Sequence, residues 1–208
     1  MHRCYIAVTD RNGPKQSPMI FLIAGLVIFF SVHSIAIVAP GLRDRLAERL
    51  GILWQIGYSI DAAIGLALIV YGYGQARLEP VVLYTPPPVL RYVTVILMLL
   101  AMPLLVAAYL PGRIRTAVKH PMLVAVKTWA FAHLLSNGML ADVLLFGSFM
   151  LWAVADRISL KRRTPRAAPA LPAGPANDII AIVVGVALTA GFLHGLHVWL
   201  TGMPIVFP

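Results

Sequence analysis

Hydrophobic residues in this 208-residue chain fall into long runs, separated by short basic or proline-rich stretches. The first clean run, Met19 to Val38, has Ser31, His33 and Ser34 as its only polar side chains. It is about as long as a helix that spans the apolar layer of a bilayer. Pro40-Gly41 ends it. Residues 42–50 place leucines at 42, 46 and 50 with charges between them, which makes one apolar stripe suited to lying along the membrane interface. A second spanning run covers about Ile52 to Tyr73 and carries Asp61. Loop 75–91 contains Pro86-Pro87-Pro88 and must be extended. A third run covers Tyr92 to Leu110, with Pro103 as a kink point. A fourth, Pro121 to Ser136, starts on a proline that suits a first helical turn. A fifth, Met139 to Ala155, has Asp142 near its start, and a sixth, Ile179 to Leu200, carries His194 and His197. The fourth and fifth runs are short, and Asn137-Gly138 between them is a turn and helix-stop signal. They are therefore read as a tight hairpin; one long broken helix would lower the count from six to five.

The pattern predicts an all-α, polytopic transmembrane helix bundle of about six membrane helices, five if the hairpin is a single helix. The membrane domain covers 19–200, between an N-terminal tail at 1–18 and a C-terminal tail at 201–208. Residues 156–177 within it form a linker, first basic and then rich in Pro and Ala. Composition agrees: 60% of residues are hydrophobic and 12% charged, with a mean hydropathy of +0.84, too apolar for a water-soluble domain. The net charge of +9 does not indicate nucleic acid, because the basic residues sit in short loops beside apolar spans. Loops 39–51, 111–120 and 156–178 hold eleven of them, and the opposite side holds five. The positive-inside rule then puts the basic loops in the cytoplasm and both termini outside. Met19 opens the apolar pattern, which makes it a candidate translation start with the polar residues before it an annotation extension; a real but disordered tail is the alternative. The first run lacks a small-residue cleavage site and should remain as an anchor. Cys4 is the single cysteine, which excludes an intrachain disulfide and a cysteine metal cluster.

Candidate chemistry rests on histidines within apolar spans, which need partners. A rise of about 1.5 Å per residue places His33 about 8 Å and His133 about 18 Å from the cytoplasmic face, with Asp61 between them at about 14 Å. Two facing imidazoles suit a b-type haem. A zinc site would need a further ligand such as Asp61, and interhelical hydrogen bonding is a third reading. No Cys-x-x-Cys-His is present, so covalent haem attachment is excluded. Asp61 is a candidate partner for Lys127 or for a histidine N–H. His120 is read as an interfacial residue at a helix start, pointing about 220° away from His133 around their helix. His194 and His197, three residues apart, share a helix face; near the end of a span they are read as interfacial, with ligands for a metal or a second haem as the alternative. No Gly-x-Ser-x-Gly, His-Glu-x-x-His or phosphate-binding glycine loop is present.

Several short stretches taken together resemble the NnrU family of bacterial membrane proteins. They are Val32-His33-Ser34, Leu83-Tyr84-Thr85-Pro86-Pro87, Tyr109 to Ile114, Lys119-His120-Pro121-Met122, Trp129-x-x-Ala132-His133-Leu134, Ser136-Asn137-Gly138 and Ala155-Asp156-Arg157-Ile158. The resemblance implies a multi-pass bacterial inner-membrane protein associated with denitrification, that is, with nitrite and nitric oxide metabolism. The family is also similar to plant zeta-carotene isomerase, a membrane haem b protein. On that likeness His133 corresponds to a haem ligand and His33 to the other, and a redox-active cysteine of the relative is replaced by Ala130. The implied cofactor is haem b on His33 and His133, with Asp61, His120 and Lys127 as accessory residues. The implied partners are membrane lipids, a lipid-soluble substrate or denitrification proteins. Redox sensing, electron transfer and cis-trans isomerisation are the activities this allows. A membrane methyltransferase, which His120-Pro121 faintly resembles, and a cofactor-free assembly factor for the nitric oxide reductase system are the alternatives.

Overall fold

The computed structural model describes residues 19–163, 171–202 and 205. The expected start at Met19 concerns residues 1–18, which lie outside the described residues, as does Arg166 of the linker. The helices are α1 (Met19–Val38), α2 (Pro40–Leu50), α3 (Ile52–Ala76), α4 (Leu90–Ala107), α5 (Arg113–Val118), α6 (Pro121–Ser136), α7 (Leu140–Ser159) and α8 (Asn177–Gly191). A π-helical turn at Phe192–Leu196 then leads into α9 (His197–Thr201). The all-helical membrane bundle is as expected. Among the described residues, four helical stretches are long and apolar enough to cross a membrane: α1, α3, α4 and the continuous stretch from Asn177 to Thr201. α6 has 16 residues, and α7 has 20 but carries Asp142, Asp156 and Arg157. These two form the expected hairpin, with residues 137–139 between them.

Lipid tails are as apolar as the side chains that face them, so helices in a bilayer associate by close packing, which small residues permit. The pairing of α1 with α3 uses this: a Cβ on Gly72 would lie 2.2 Å from the Leu22 backbone N, and one on Gly65 would lie 2.7 Å from the Phe29 N. α8 seats Gly185 against Pro103 in the same way. Pro103 lies inside α4, which runs on to Ala107. Leu22, Leu26, Ile69, Tyr73, Ala130 and Phe146 form the main core, so it is shared by α1, α3, α6 and α7.

The chain ties off each end of the bundle with polar contacts. At the basic end, both carboxylate oxygens of Asp178 accept the first backbone N–H groups of α5, from Arg113 (2.9 Å) and Ile114 (3.0 Å). This satisfies donors that a helix start leaves open. The Asn177 side chain donates to the carbonyls of Pro111 and Pro172. At the other end, the proline-rich loop pairs with the α6–α7 turn. The Gly138 carbonyl accepts Leu83 N–H (2.9 Å) and Tyr84 N–H (3.1 Å), and Leu140 N–H donates to the Val81 carbonyl (2.8 Å). The Tyr84 hydroxyl reaches the carbonyls of Leu134 (2.5 Å) and Asn137 (2.7 Å), acceptors left open where α6 ends. Gly138 is required by this close approach, since a Cβ there would sit 1.9 Å from the Tyr84 carbonyl oxygen.

A candidate ligand cavity lined by two histidines

α6 delivers His133 to the end of the bundle opposite the basic loops. Its Nδ1 lies 2.9 Å from the Trp129 carbonyl one turn back. With Nδ1 as the donor, the ring is oriented and Nε2 keeps the lone pair that a metal would need. One face of the ring stacks on Phe146 at 4.6 Å. α4 is tied to α6 beside it, where the Thr94 hydroxyl donates to the Ala132 carbonyl (2.8 Å).

His133 lines a cavity of about 490 Å³ enclosed by α3, α4, α6, α7 and the π-turn with α9. His197 lines the same cavity. The π-turn makes this placement: Gly195 leaves helical backbone angles within it, and His197 follows as the first residue of α9. His194 is exposed, so the two histidines do not share a face as the three-residue spacing predicts. His197 Nδ1 lies 3.3 Å from the Thr201 hydroxyl.

The cavity lining changes from apolar to polar toward the α3–α4 loop. Val70, Met98, Met102 and Leu145 line its apolar part, with the rings of Trp129 and Phe149. Arg77, Arg91, Ser136 and Asn137 line the end nearest the α3–α4 loop. Behind this wall lies a buried polar pair. The Tyr73 hydroxyl donates to Asp142 Oδ1 at 2.6 Å, and Asp142 is fully buried. Its Oδ2 accepts Met139 N–H at 2.8 Å, which caps the start of α7. Arg77 donates to the Tyr73 oxygen at 3.3 Å and lies over the Tyr73 ring.

The structure does not bring His33 to this cavity. His33 lies near the basic end of α1, stacked on Phe29 at 4.0 Å, with Tyr58 and Trp152 at 5.2 and 5.7 Å. Its Nδ1 bonds the Phe29 carbonyl at 2.7 Å. The rings of Phe29, Phe149 and Trp129, in contact at 5.3 and 5.4 Å, fill the space between the His33 cage and His133. The expected His33–His133 pairing is therefore not formed around one space. Asp156, ion-paired with Arg163, lies at the charged end beyond the cage.

The expected accessory residues are also placed elsewhere. Asp61 is exposed on α3 and makes no hydrogen bond or ion pair with His33 or His133. Lys127 is half-buried on α6, and no Lys127–Asp61 ion pair forms. His120 occupies the N-cap position of α6 at the basic end, with no side-chain capping bond. Partial burial, followed by the charges of Arg157 and Lys119, holds its imidazole below the usual range, with Asp156 opposing. Burial, and then the Asp142 charge, raise the Tyr84 phenol. No group of three or more His, Cys, Asp or Glu able to hold a metal exists among the described residues, so the zinc reading lacks its ligands.

Sequence reasoning missed Tyr73, Arg77 and Arg91. Asp142 carried a usable signal: a carboxylate three residues into a helix is placed to bond the backbone N–H at its start. Compared with known proteins, the chain matches a family model described as NnrU protein over residues 21–205. Neither a curated protein nor a solved structure matches it.

Proposed function

The chain belongs to the NnrU family of membrane proteins, and from that premise we propose that it holds a b-type haem in the cavity between His133 and His197 and acts in nitrite and nitric oxide metabolism. The single observation carrying this reading is the pair of imidazoles from separate elements lining one apolar cavity. The donor set suits the group: two nitrogen ligands, aromatic and aliphatic walls, and cations at one end. Held by His133 and His197, such a haem would supply one-electron and diatomic-gas chemistry.

The protein residues have distinct tasks in this reading. Trp129 orients His133 through its carbonyl. Phe146 holds the imidazole plane, and the aromatic wall keeps water from the site. Ala130 is fully buried and offers no ligand where the plant relative has a cysteine. This favours gas binding or electron transfer over double-bond isomerisation. The basic end would face the cytoplasm of a bacterial inner membrane, supported by the clustering of basic loops there. A reporter fused after Pro208 should then be active only outside the cytoplasm.

The test is the visible spectrum of detergent-purified protein expressed with ample haem. Wild type should show a six-coordinate, low-spin haem. His133→Ala and His197→Ala should each lose that signature, and His33→Ala should keep it. Loss on His33→Ala with retention on His197→Ala would restore the pairing expected from sequence. Pure, folded and colourless wild type would reject the haem and favour a cofactor-free assembly role.

A further inference from the structure

We propose that Arg77 and Arg91 form a cationic rim that binds the carboxylates of the cavity's occupant, which makes the site selective for a flat, apolar molecule carrying acidic groups at one edge. This deepens the haem reading and rests on it.

The observations are local to one end of the cavity. Arg77 follows the last residue of α3, and Arg91 lies in the first turn of α4, so the α3–α4 loop brings both to the same level. Both line the cavity, whose lining turns apolar away from them. The Arg77 guanidinium is held rather than loose: it donates to the Tyr73 oxygen and lies over the Tyr73 ring at 5.3 Å. Its Nε is buried with no hydrogen-bond partner. A buried guanidinium nitrogen left unbonded is costly, and a carboxylate reached through a two-pronged contact is what its planar fork fits best.

Among the described residues, Asp142 does not fill that role for Arg77. Asp142 Oδ1 is taken by Tyr73 and Oδ2 by the Met139 N–H. Asp142 therefore acts on Arg77 only through Tyr73, which fixes the arginine without quenching it. Tyr73 is thus a positioning residue for the rim. An uncharged apolar occupant would gain nothing from this end of the cavity. A diacid would place its charges where lipid cannot solvate them and the protein can.

The experiment titrates detergent-purified apo-protein with iron protoporphyrin IX and with its dimethyl ester, which has the same ring and no carboxylates. Wild type should bind the diacid about tenfold or more tightly than the ester, as charged hydrogen bonds predict. Arg77→Gln and Arg91→Gln should each weaken the diacid, and together remove the preference. Ester affinity should hold within about twofold, and this retention shows that the variants fold. Arg77→Lys should restore part of the diacid affinity but not the full preference, because an ammonium lacks the fork. If wild type binds diacid and ester equally, or the double variant keeps the preference, the rim assignment is overturned while the haem reading stands. If wild type binds neither porphyrin, the haem reading falls and the assignment falls with it.

Discussion

Two histidines in this bundle make the same backbone contact and have opposite surroundings. His33 and His133 each place Nδ1 on the carbonyl four residues earlier, at 2.7 and 2.9 Å. Each stacks on a phenylalanine, Phe29 for one and Phe146 for the other. His33 is then boxed in further by Tyr58 and Trp152, near the charged end of the bundle. His133 faces a cavity of about 490 Å³ with a second imidazole in its lining. A backbone-bonded imidazole in an apolar helix is therefore not enough to define a ligand site. What separates the two is whether neighbouring side chains leave space at the other nitrogen.

The comparison can be broken at its supports. The largest expected effect is from Gly138→Val. The new side chain would collide with the Tyr84 backbone, as even a Cβ lies 1.9 Å from its carbonyl oxygen. A cost of about 3 kcal/mol is expected, read as a lowered Tm in detergent. The damage should reach the His133 end and spare the aromatic cage around His33. Next, His133→Ala should weaken haem by about 100-fold, whereas His33→Ala should change it by less than about twofold, both measured by titration. Asp142→Ala strips the buried Tyr73 hydroxyl of its acceptor and α7 of its cap, which should cost about 2 kcal/mol in thermal unfolding. Trp152→Phe alters only the His33 side. Its indole N–H is buried without a partner, so the change should cost about 1 kcal/mol or less and leave haem titration unmoved. The smallest effect is the titration of His120. Its pKa is lowered in the fold, so below about pH 6.5 the unfolded chain takes the proton first. Stability is thus retained above that pH and declines as pH falls through the folded value. His120→Asn should flatten this slope of Tm against pH, and an unchanged slope would assign the acid sensitivity to other groups.

Periodicity and length made most of the fold legible. α1 and α6 fall where the runs at 19–38 and 121–136 place them, and Asn137-Gly138 correctly marks the hairpin. α5 was missed because six residues, Arg113–Val118, are too few to show a period, and its start is held by Asp178, 65 residues away in sequence from Arg113. The site was less legible. Depth along the membrane can be counted from sequence, but rotation about each helix cannot, and rotation decides what a side chain faces. Asp61 has a suitable depth but is left exposed, without a histidine or lysine partner among the described residues. His197 was read as interfacial because it lies near the end of the last span, where the π-turn that turns it into the cavity leaves no signal. Arg77 and Arg91 read as ordinary loop cations, since nothing local reveals that the helices beneath them part to leave a cavity.

The π-turn at Phe192–Leu196 amounts to one residue wound into a helix without lengthening its axis in proportion. Everything after it is set out of phase by about 100° with a straight continuation of α8. Deleting a single residue there, Gly195, would let the helix run on unbroken and carry His197 round to a new heading. The second imidazole would then depend on one inserted position, and a family member could gain or lose a ligand through a one-residue change that leaves every histidine in its sequence.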